Sequence, residues 1–250
     1  MVNLLNFKTK NPNSKTWNFK LETKKNTIQN SQFTIKMNLS LEYKIREPKV
    51  ILDKNPLLLL LHGYGSNEAD LFSFASELPD NYYIISARAP YDLQYGAYAW
   101  YAINFDADQN KFSDNEQARS SRDVIASFVD ELVANYPIDA NDVTLIGFSQ
   151  GSILSYATAL SYPEKIQRVV AMSGYFNEEI IKEGFEQNDF KDLKIFASHG
   201  TVDQVIPIEW ARKTPAILEK LDIPVVYKEY PVGHGVAPQN FFDFKNWLLS

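Results

Sequence analysis

Apolar segments with strand-like patterns alternate with helix-like segments along most of the chain. Residues 39–46 alternate between apolar and polar positions, which predicts an outer strand of a sheet. Residues 56–61 form a continuous apolar run, typical of a strand covered on both faces. Further strands are predicted at residues 82–86, 142–146, 167–172, 194–198 and 225–230, and helices at residues 67–77, 113–136, 152–160, 208–221 and 238–249. This order predicts one α/β domain over residues 37–250, with a mostly parallel central sheet and helices on both faces.

The carboxyl edge of such a sheet is where we expect a site, because open parallel sheets bind ligands there. The loops after the strands at 56–61, 142–146, 194–198 and 225–230 all lie on that edge. Between the strand at 82–86 and the next helix, residues 90–112 show no clear regular pattern. The six aromatic residues between positions 91 and 105 of this segment suggest an acyl or aromatic pocket, with packing over a sheet edge as the alternative.

Composition excludes several classes of function. The 250 residues include no cysteine, so a disulfide framework, a cysteine nucleophile and a thiolate metal site are all excluded. A net charge of −6 argues against a nucleic-acid partner. No apolar run reaches membrane-spanning length, and the first residues lack a secretory signal pattern, which makes the cytoplasm the default expectation. Without a metal cluster or a phosphate-binding glycine loop, no cofactor and no metal are expected.

Residues 1–36 differ from the rest of the chain. Seven lysines and one acid give this segment a charge of +6, which leaves −12 for residues 37–250. Its Asn, Lys, Thr and Ser content favours a poorly ordered N-terminal extension. One alternative is a basic arm that contacts anionic surfaces. The other is that translation starts at Met37, which mass spectrometry of the native N-terminus would test.

Ser149 is the candidate nucleophile. It lies in a Gly-Phe-Ser-Gln-Gly motif at residues 147–151, with a predicted buried strand before it and a predicted helix after it. Strand, tight turn and helix are the context of a nucleophile elbow, and the two glycines relieve crowding around the serine. The alternative is an ordinary serine at a helix N-cap.

A serine hydroxyl needs a base, and the base needs a carboxylate that fixes its tautomer. His234 follows the last predicted strand in a Gly-His-Gly sequence, which makes it the candidate base. Asp203 follows the preceding strand and is the candidate carboxylate, since the order Ser149, Asp203, His234 is that of α/β-hydrolases. The competing acids precede strands or lie within one: Asp192, Asp222 and Glu229.

Two backbone N–H groups are needed to bind the oxyanion of an acyl-transfer intermediate. Gln150, directly after the candidate nucleophile, is expected to supply one. Tyr64, in the glycine-containing turn after the strand at 56–61, is expected to supply the other. His62 and His199 do not fit the triad order, so we interpret them as structural residues that hydrogen-bond the backbone beside the site.

Four motifs in order, at residues 61–66, 147–152, 199–207 and 233–235, resemble the phospholipase/carboxylesterase family of α/β-hydrolases, which includes acyl-protein thioesterases and small carboxylesterases. The resemblance covers residues 39–249. It implies an α/β-hydrolase fold and a cofactor-free serine hydrolase, monomeric or homodimeric, for short or medium acyl esters, lysophospholipids or thioesters. Trp100 and Tyr101 are similar to the family's aromatic pair near the substrate pocket. Tyr64 replaces the Leu common in the thioesterase branch, which argues against activity on palmitoylated proteins.

A serine carboxylesterase acting on a small-molecule ester is therefore the first hypothesis. A thioesterase or lysophospholipase on the same fold is the alternative within the enzyme class. A hydrolase-fold binding protein without catalysis is the alternative outside it.

Overall fold

The computed structural model describes residues 39–105 and 111–250, and residues 40–250 form one compact unit. The extension predicted at residues 1–36 lies outside the described residues. Within them, no helix combines the length and apolarity needed to cross a membrane.

Eleven strands are present in the described residues: β1 Tyr43–Arg46, β2 Asn55–Leu61, β3 Tyr83–Ala87, β4 Tyr91–Asp92, β5 Tyr98–Ala99, β6 Ile103–Phe105, β7 Lys111–Ser113, β8 Ile138–Phe148, β9 Arg168–Met172, β10 Lys194–Gly200 and β11 Val225–Tyr230. The α-helices of the same residues are α1 Asn115–Asn135, α2 Gln150–Ser161, α3 Ile208–Ala211, α4 Thr214–Glu219 and α5 Pro238–Leu248. Short 3₁₀ helices are found at Leu71–Phe74, Glu178–Ile180 and Phe185–Gln187.

Seven of these strands form the central sheet, in the order β1-β3-β2-β8-β9-β10-β11. β1 is antiparallel to β3, and the other neighbouring pairs are parallel. The predicted fold class, a mostly parallel sheet of the α/β-hydrolase type, is confirmed. Because β2, β8, β10 and β11 end at the same edge, the loops that follow them come together there.

Burial of the central strands holds the two helical layers together. All seven residues of β2 are buried, and its five leucines are fully inaccessible. Full burial of a leucine side chain stabilises a fold by about 1.5–3 kcal/mol. One face packs against the 3₁₀ helix Leu71–Phe74 and α5, where the ring of Phe74 lies 5.0 Å from that of Phe241. On the other face α2 packs on β8 and β9 and contacts α1.

Two predicted helices are shorter than expected. Residues 67–77 form only the 3₁₀ helix Leu71–Phe74, because polar side chains bond locally in place of the helix ladder. Asn67 Oδ1 accepts from the backbone of Ala69 at 2.9 Å, and Ser66 donates to Asp70 at 2.7 Å. Residues 208–221 divide into α3 and α4, where a proline at the first turn of α4 has no N–H to continue the ladder.

The segment at residues 90–112 contains more regular structure than its sequence predicts. β4 pairs with β5 and β6 pairs with β7, each as a small antiparallel hairpin. The first hairpin is tied to the turn after β2, since the N–H of Tyr98 donates to the carbonyl of Ser66 at 2.8 Å and its carbonyl accepts from Gly65 at 2.9 Å. The aromatic segment therefore lies beside the carboxyl edge of β2.

Candidate active site

Ser149 lies on a strained turn between β8 and α2. Its φ of 54° and ψ of −117° are values that residues with a side chain rarely adopt. A Cβ at Gly147 would lie 2.3 Å from the carbonyl oxygen of Gly151, and one at Gly151 would lie 2.0 Å from that of Leu61. Both glycines are therefore required by close backbone approach, one within the turn and one between α2 and β2.

His234 and Asp203 complete a hydrogen-bonded chain with Ser149. The Oγ of Ser149 lies 2.9 Å from Nε2 of His234, and Nδ1 of His234 lies 2.7 Å from Oδ2 of Asp203. A carboxylate only accepts hydrogen bonds, so Nδ1 carries the proton and Nε2 is free to accept the serine proton. The structure thus brings together the three residues that the sequence nominates, in the geometry that activates a serine hydroxyl.

Asp203 is fully buried and held on both carboxylate oxygens. Oδ1 accepts from the backbone N–H groups of Val205 and Ile206, at 2.8 and 3.0 Å. Burial acts to raise the pKa of Asp203, but the hydrogen bonds from His234, Ile206 and Val205 together outweigh it and lower that pKa. Asp203 is therefore ionised at neutral pH and accepts the hydrogen bond from Nδ1 of His234.

His199 supports the loop that carries Asp203. Its side chain is fully buried, and Nε2 donates to the carbonyl oxygen of Ile206 at 2.9 Å. The same nitrogen lies 3.3 Å from Oδ2 of Asp203. Ile206 is thus bonded through its N–H to Asp203 and through its carbonyl to His199, which fixes the shape of the loop.

His62 supports the turn that carries Tyr64. It is fully buried, with Nδ1 donating to the carbonyl of Gly63 at 2.7 Å and Nε2 accepting from the backbone of Ala89 at 3.1 Å. Burial is the largest influence and lowers the pKa of His62, which keeps the ring neutral as these two bonds require. Both remaining histidines therefore hydrogen-bond the backbone beside the site, as the sequence analysis expects.

Tyr64 and Gln150, the residues expected to supply the two backbone donors, line the same cavity as Ser149. Gln150 is the first residue of α2, so its backbone N–H has no hydrogen-bond partner within the helix. It lies at the helix N-terminus, which is the positive end of the helix dipole. Within the described part of the chain, no hydrogen bond occupies the N–H of Tyr64. Two free donors beside a nucleophile are what an oxyanion site requires.

The side chain of Gln150 has a structural function that sequence reasoning missed. Its Oε1 accepts from the backbone N–H of Trp100 at 3.1 Å, and its Nε2 donates to the carbonyl of Tyr101 at 2.8 Å. Since the partners are about fifty positions away in sequence, no local motif could have indicated this contact.

The cavity over Ser149 has a volume of about 630 Å³. Tyr101, Ile153, Tyr175 and Trp210 contribute to its walls, together with polar residues on α1 and on the segment after β9. Of the predicted aromatic pair, Tyr101 borders the cavity and Trp100 does not. Trp100 is fully buried behind it, and its indole N–H donates to the carbonyl of His62 at 2.9 Å. Trp100 therefore supports the backbone beside the site and is not part of the cavity wall.

No group of three or more His, Asp or Glu side chains in residues 39–105 and 111–250 is arranged to hold a metal ion. The groups that the structure assembles at the carboxyl edge are a hydroxyl, an imidazole, a carboxylate and two free backbone donors. This set is suited to acyl transfer through a serine.

Comparison with known proteins supports the same interpretation. The family model that matches residues 45–249 is described as phospholipase/carboxylesterase. Acyl-protein thioesterase 1 of Debaryomyces hansenii is 29% identical over 154 residues, which are 60% of this chain and 65% of the relative, just under two thirds of its length. Acyl-protein thioesterase 1 of Cryptococcus neoformans var. neoformans is 26% identical over 220 residues, 77% of this chain and 91% of the relative.

Among solved structures, the Bacillus cereus carboxylesterase is similar with a TM-score of 0.73 and 21% identity, over 84% of this chain and 94% of the other. At that identity the likeness shows the fold alone. The family model, in contrast, spans most of the chain and includes all four loops of the candidate site. The chain belongs to the phospholipase/carboxylesterase family.

Proposed function

We propose that this protein is a serine hydrolase that cleaves carboxylic esters of short or medium acyl chains through an acyl-serine intermediate. The observation that carries the proposal is the continuous hydrogen-bonded chain from Ser149 through His234 to Asp203, which opens into a cavity beside the first N–H of α2.

In this mechanism His234 takes the proton of Ser149 through Nε2 while Oγ attacks the acyl carbon. The N–H groups of Tyr64 and Gln150 bind the oxyanion of the tetrahedral intermediate. His234, held by Asp203, then protonates the leaving alcohol as the ester bond breaks. A water molecule attacks the acyl-serine with the same histidine as base and releases the carboxylic acid.

The apolar wall formed by Tyr101 and Ile153 lies near Ser149 and is our candidate for the surface that binds the acyl chain. A volume of about 630 Å³ is in the range of small-molecule sites, which supports a small substrate.

A thioesterase is the second candidate, favoured by the two fungal relatives named acyl-protein thioesterase 1. The serine mechanism is the same, with a thiol as the leaving group. Parallel assays with a simple p-nitrophenyl ester, an acyl-CoA and an S-acylated peptide distinguish the two candidates.

Replacement of the nucleophile tests the proposal. We expect Ser149→Ala to lower kcat on p-nitrophenyl butyrate by roughly 10⁴- to 10⁶-fold, without unfolding the protein, because the triad acts as a unit. Ser152→Ala is the matched control, since Ser152 is buried one turn further along the same helix and its Oγ has no hydrogen-bond partner in the described residues. It should keep wild-type activity.

A fluorophosphonate probe should label the wild-type protein and Ser152→Ala but not Ser149→Ala. Hydrolysis by Ser149→Ala at close to the wild-type rate would contradict the assignment of the nucleophile. Absence of both labelling and hydrolysis in the wild type would favour the non-catalytic binding protein.

A further inference from the structure

The cavity over Ser149 has an uneven charge distribution. Among the described residues that line it, Glu179 is the only one with a carboxylate side chain, and no Lys or Arg is present. Glu179 lies in the short 3₁₀ helix after β9, a segment in which the sequence shows no motif. An esterase for uncharged substrates has no need of this group.

Two neighbours, Asn115 and Arg119, hold Glu179 in position, and neither forms a salt bridge with its carboxylate. Asn115, at the start of α1, donates a hydrogen bond from Nδ2 to the carboxylate. Arg119 instead binds the backbone carbonyl of Glu179, at 2.7 and 2.9 Å, and lines a second surface groove that Glu179 also borders. Within the described part of the chain, no cationic side chain lies within salt-bridge distance of the Glu179 carboxylate.

Aromatic rings form much of the rest of the cavity surface. Tyr64, Tyr101, Tyr175 and Trp210 all line it, and the rings of Tyr175 and Trp210 meet edge to face at 5.0 Å. Burial first, and then the negative charge of Glu179, raise the pKa of Tyr175, so the field of the carboxylate reaches this wall. Aromatic faces next to a carboxylate attract organic cations through the ring quadrupole and the charge.

The net negative charge of the whole domain also favours cationic ligands in the cavity. Residues 37–250 carry a formal charge of −12. A cleft in a protein of one predominant charge focuses the field, so it raises the local concentration of ligands of opposite charge and lowers that of ligands of like charge. Anionic substrates such as acyl-CoA are therefore disfavoured on entry.

We infer that the preferred substrates are esters that carry a cationic group, of the quaternary ammonium or protonated amine class, bound between Glu179 and the aromatic wall. This inference rests on the proposed esterase function and narrows it, because it separates cationic esters from neutral esters and from anionic thioesters such as acyl-CoA.

Three butyrate esters with leaving groups of similar size test the inference: butyrylcholine, its neutral carbon isostere neohexyl butyrate, and the anionic butyryl isethionate. A second series carries the same three end groups on the acyl side, so that either orientation in the cavity is sampled. The quantity measured is kcat/KM for each ester, expressed as the ratio of the cationic to the neutral member. Comparison of this ratio between variants cancels the intrinsic reactivity of the esters.

Glu179→Gln is the test variant, since a glutamine can still accept the hydrogen bond from Asn115. Glu178→Gln is the matched control, because it removes the same charge from the adjacent residue, which borders only the second groove, whereas Glu179 borders the groove and the cavity. We expect the cationic-to-neutral ratio to fall about fourfold in Glu179→Gln, as for two unit charges roughly 5 Å apart in a water-like dielectric. It should change less than about 1.5-fold in Glu178→Gln, which is further from the bound cation.

Salt provides a measurement that needs no variant. In the wild type the cationic-to-neutral ratio should decrease as NaCl is raised from about 0.01 to 0.5 M, because the Debye length shortens from roughly 30 Å to under 5 Å. Tetramethylammonium should inhibit hydrolysis of neohexyl butyrate competitively, and more weakly in Glu179→Gln.

Two different failures are distinguishable. If the neutral esters are hydrolysed but neither series responds to Glu179→Gln, or if Glu178→Gln has an equal effect, the inference is wrong and the esterase function stands. If no ester of either series is hydrolysed and a fluorophosphonate does not label Ser149, the esterase function is wrong and the inference falls with it.

Discussion

Gly200 is the position where the addition of a single methyl group should displace His234, the proposed base. It ends β10, and a Cβ there would lie 2.3 Å from the carbonyl oxygens of both Val232 and Gly233. Real Cβ contacts essentially never fall below 3.0 Å, so Gly200→Ala requires the two backbones to separate by about 0.7 Å. The next residue in the displaced segment is His234.

The size of the effect follows from the hydrogen bond that would be stretched. Nε2 of His234 lies 2.9 Å from Oγ of Ser149, and a shift of that size would place it outside the range of roughly 2.6–3.2 Å in which a base removes a proton efficiently. A misplacement of about 1 Å can cost about 10²-fold in rate. We therefore expect Gly200→Ala to lower kcat/KM roughly 10- to 100-fold and to destabilise the fold by about 1–3 kcal/mol, as overpacking does.

Gly233→Ala is the matched control in the same loop, because its Cβ would meet nothing closer than the carbonyl oxygen of Val202 at 3.9 Å. Steady-state kinetics on p-nitrophenyl butyrate and urea unfolding of both variants give the two quantities. Full activity and unchanged stability in Gly200→Ala would refute the close approach. Equal losses in both variants would indicate that flexibility of the loop matters and not the contact.

Three further changes have defined outcomes. Gln150→Ala keeps the backbone donor but removes both side-chain bonds to residues 100 and 101, so it should cost about 1–3 kcal/mol in urea unfolding and raise KM more than it lowers kcat. His199→Leu leaves the carbonyl of Ile206 without its donor and should lower both the unfolding free energy and kcat/KM; an effect on stability alone would show that the loop holds Asp203 without it. The lowered pKa of Asp203 lies below the unfolded value of about 3.9, so its contribution to stability is present above that pH and is lost as the pH falls through the folded-state pKa. Urea titrations between about pH 5 and 2 should accordingly show a shallower acid-induced loss of stability in Asp203→Asn than in the wild type.

Much of the catalytic arrangement could be predicted because it depends on local sequence and on one rule of topology. A strand, a tight turn and a helix around Ser149 are visible within about fifteen residues. The carboxyl ends of parallel strands meet at one edge, so Asp203 and His234 could be expected near it without any knowledge of distances. Their identification as catalytic residues stays a prediction until the serine variant is measured.

Other features could not be predicted because they depend on contacts between distant segments. The helix predicted at residues 67–77 does not form over its full length, because side-chain hydrogen bonds replace part of its backbone ladder. The partners of these bonds include the backbone of Gly96. Similarity to the family's aromatic pair predicts Trp100 near the substrate pocket, yet its indole N–H donates to the buried carbonyl of His62 and the residue is not part of the cavity wall. Glu179 belongs to a short 3₁₀ helix with no recognisable pattern, and only the fold brings it to the cavity.

The two supporting histidines explain why a histidine count alone is a poor guide to catalysis in this chain. His62 fixes the turn that presents the Tyr64 donor, and His199 fixes the loop that presents Asp203. Each is fully buried and bonded to backbone, so its removal would leave an unsatisfied polar group inside the protein as well as a displaced catalytic group. Substitution of His234 would remove the base from a part-buried position with little disturbance of the core. The three histidines should therefore all be needed for activity, while only His62 and His199 should also be needed for stability. Paired measurements of kcat/KM and unfolding free energy distinguish these two supporting histidines from His234, the proposed base.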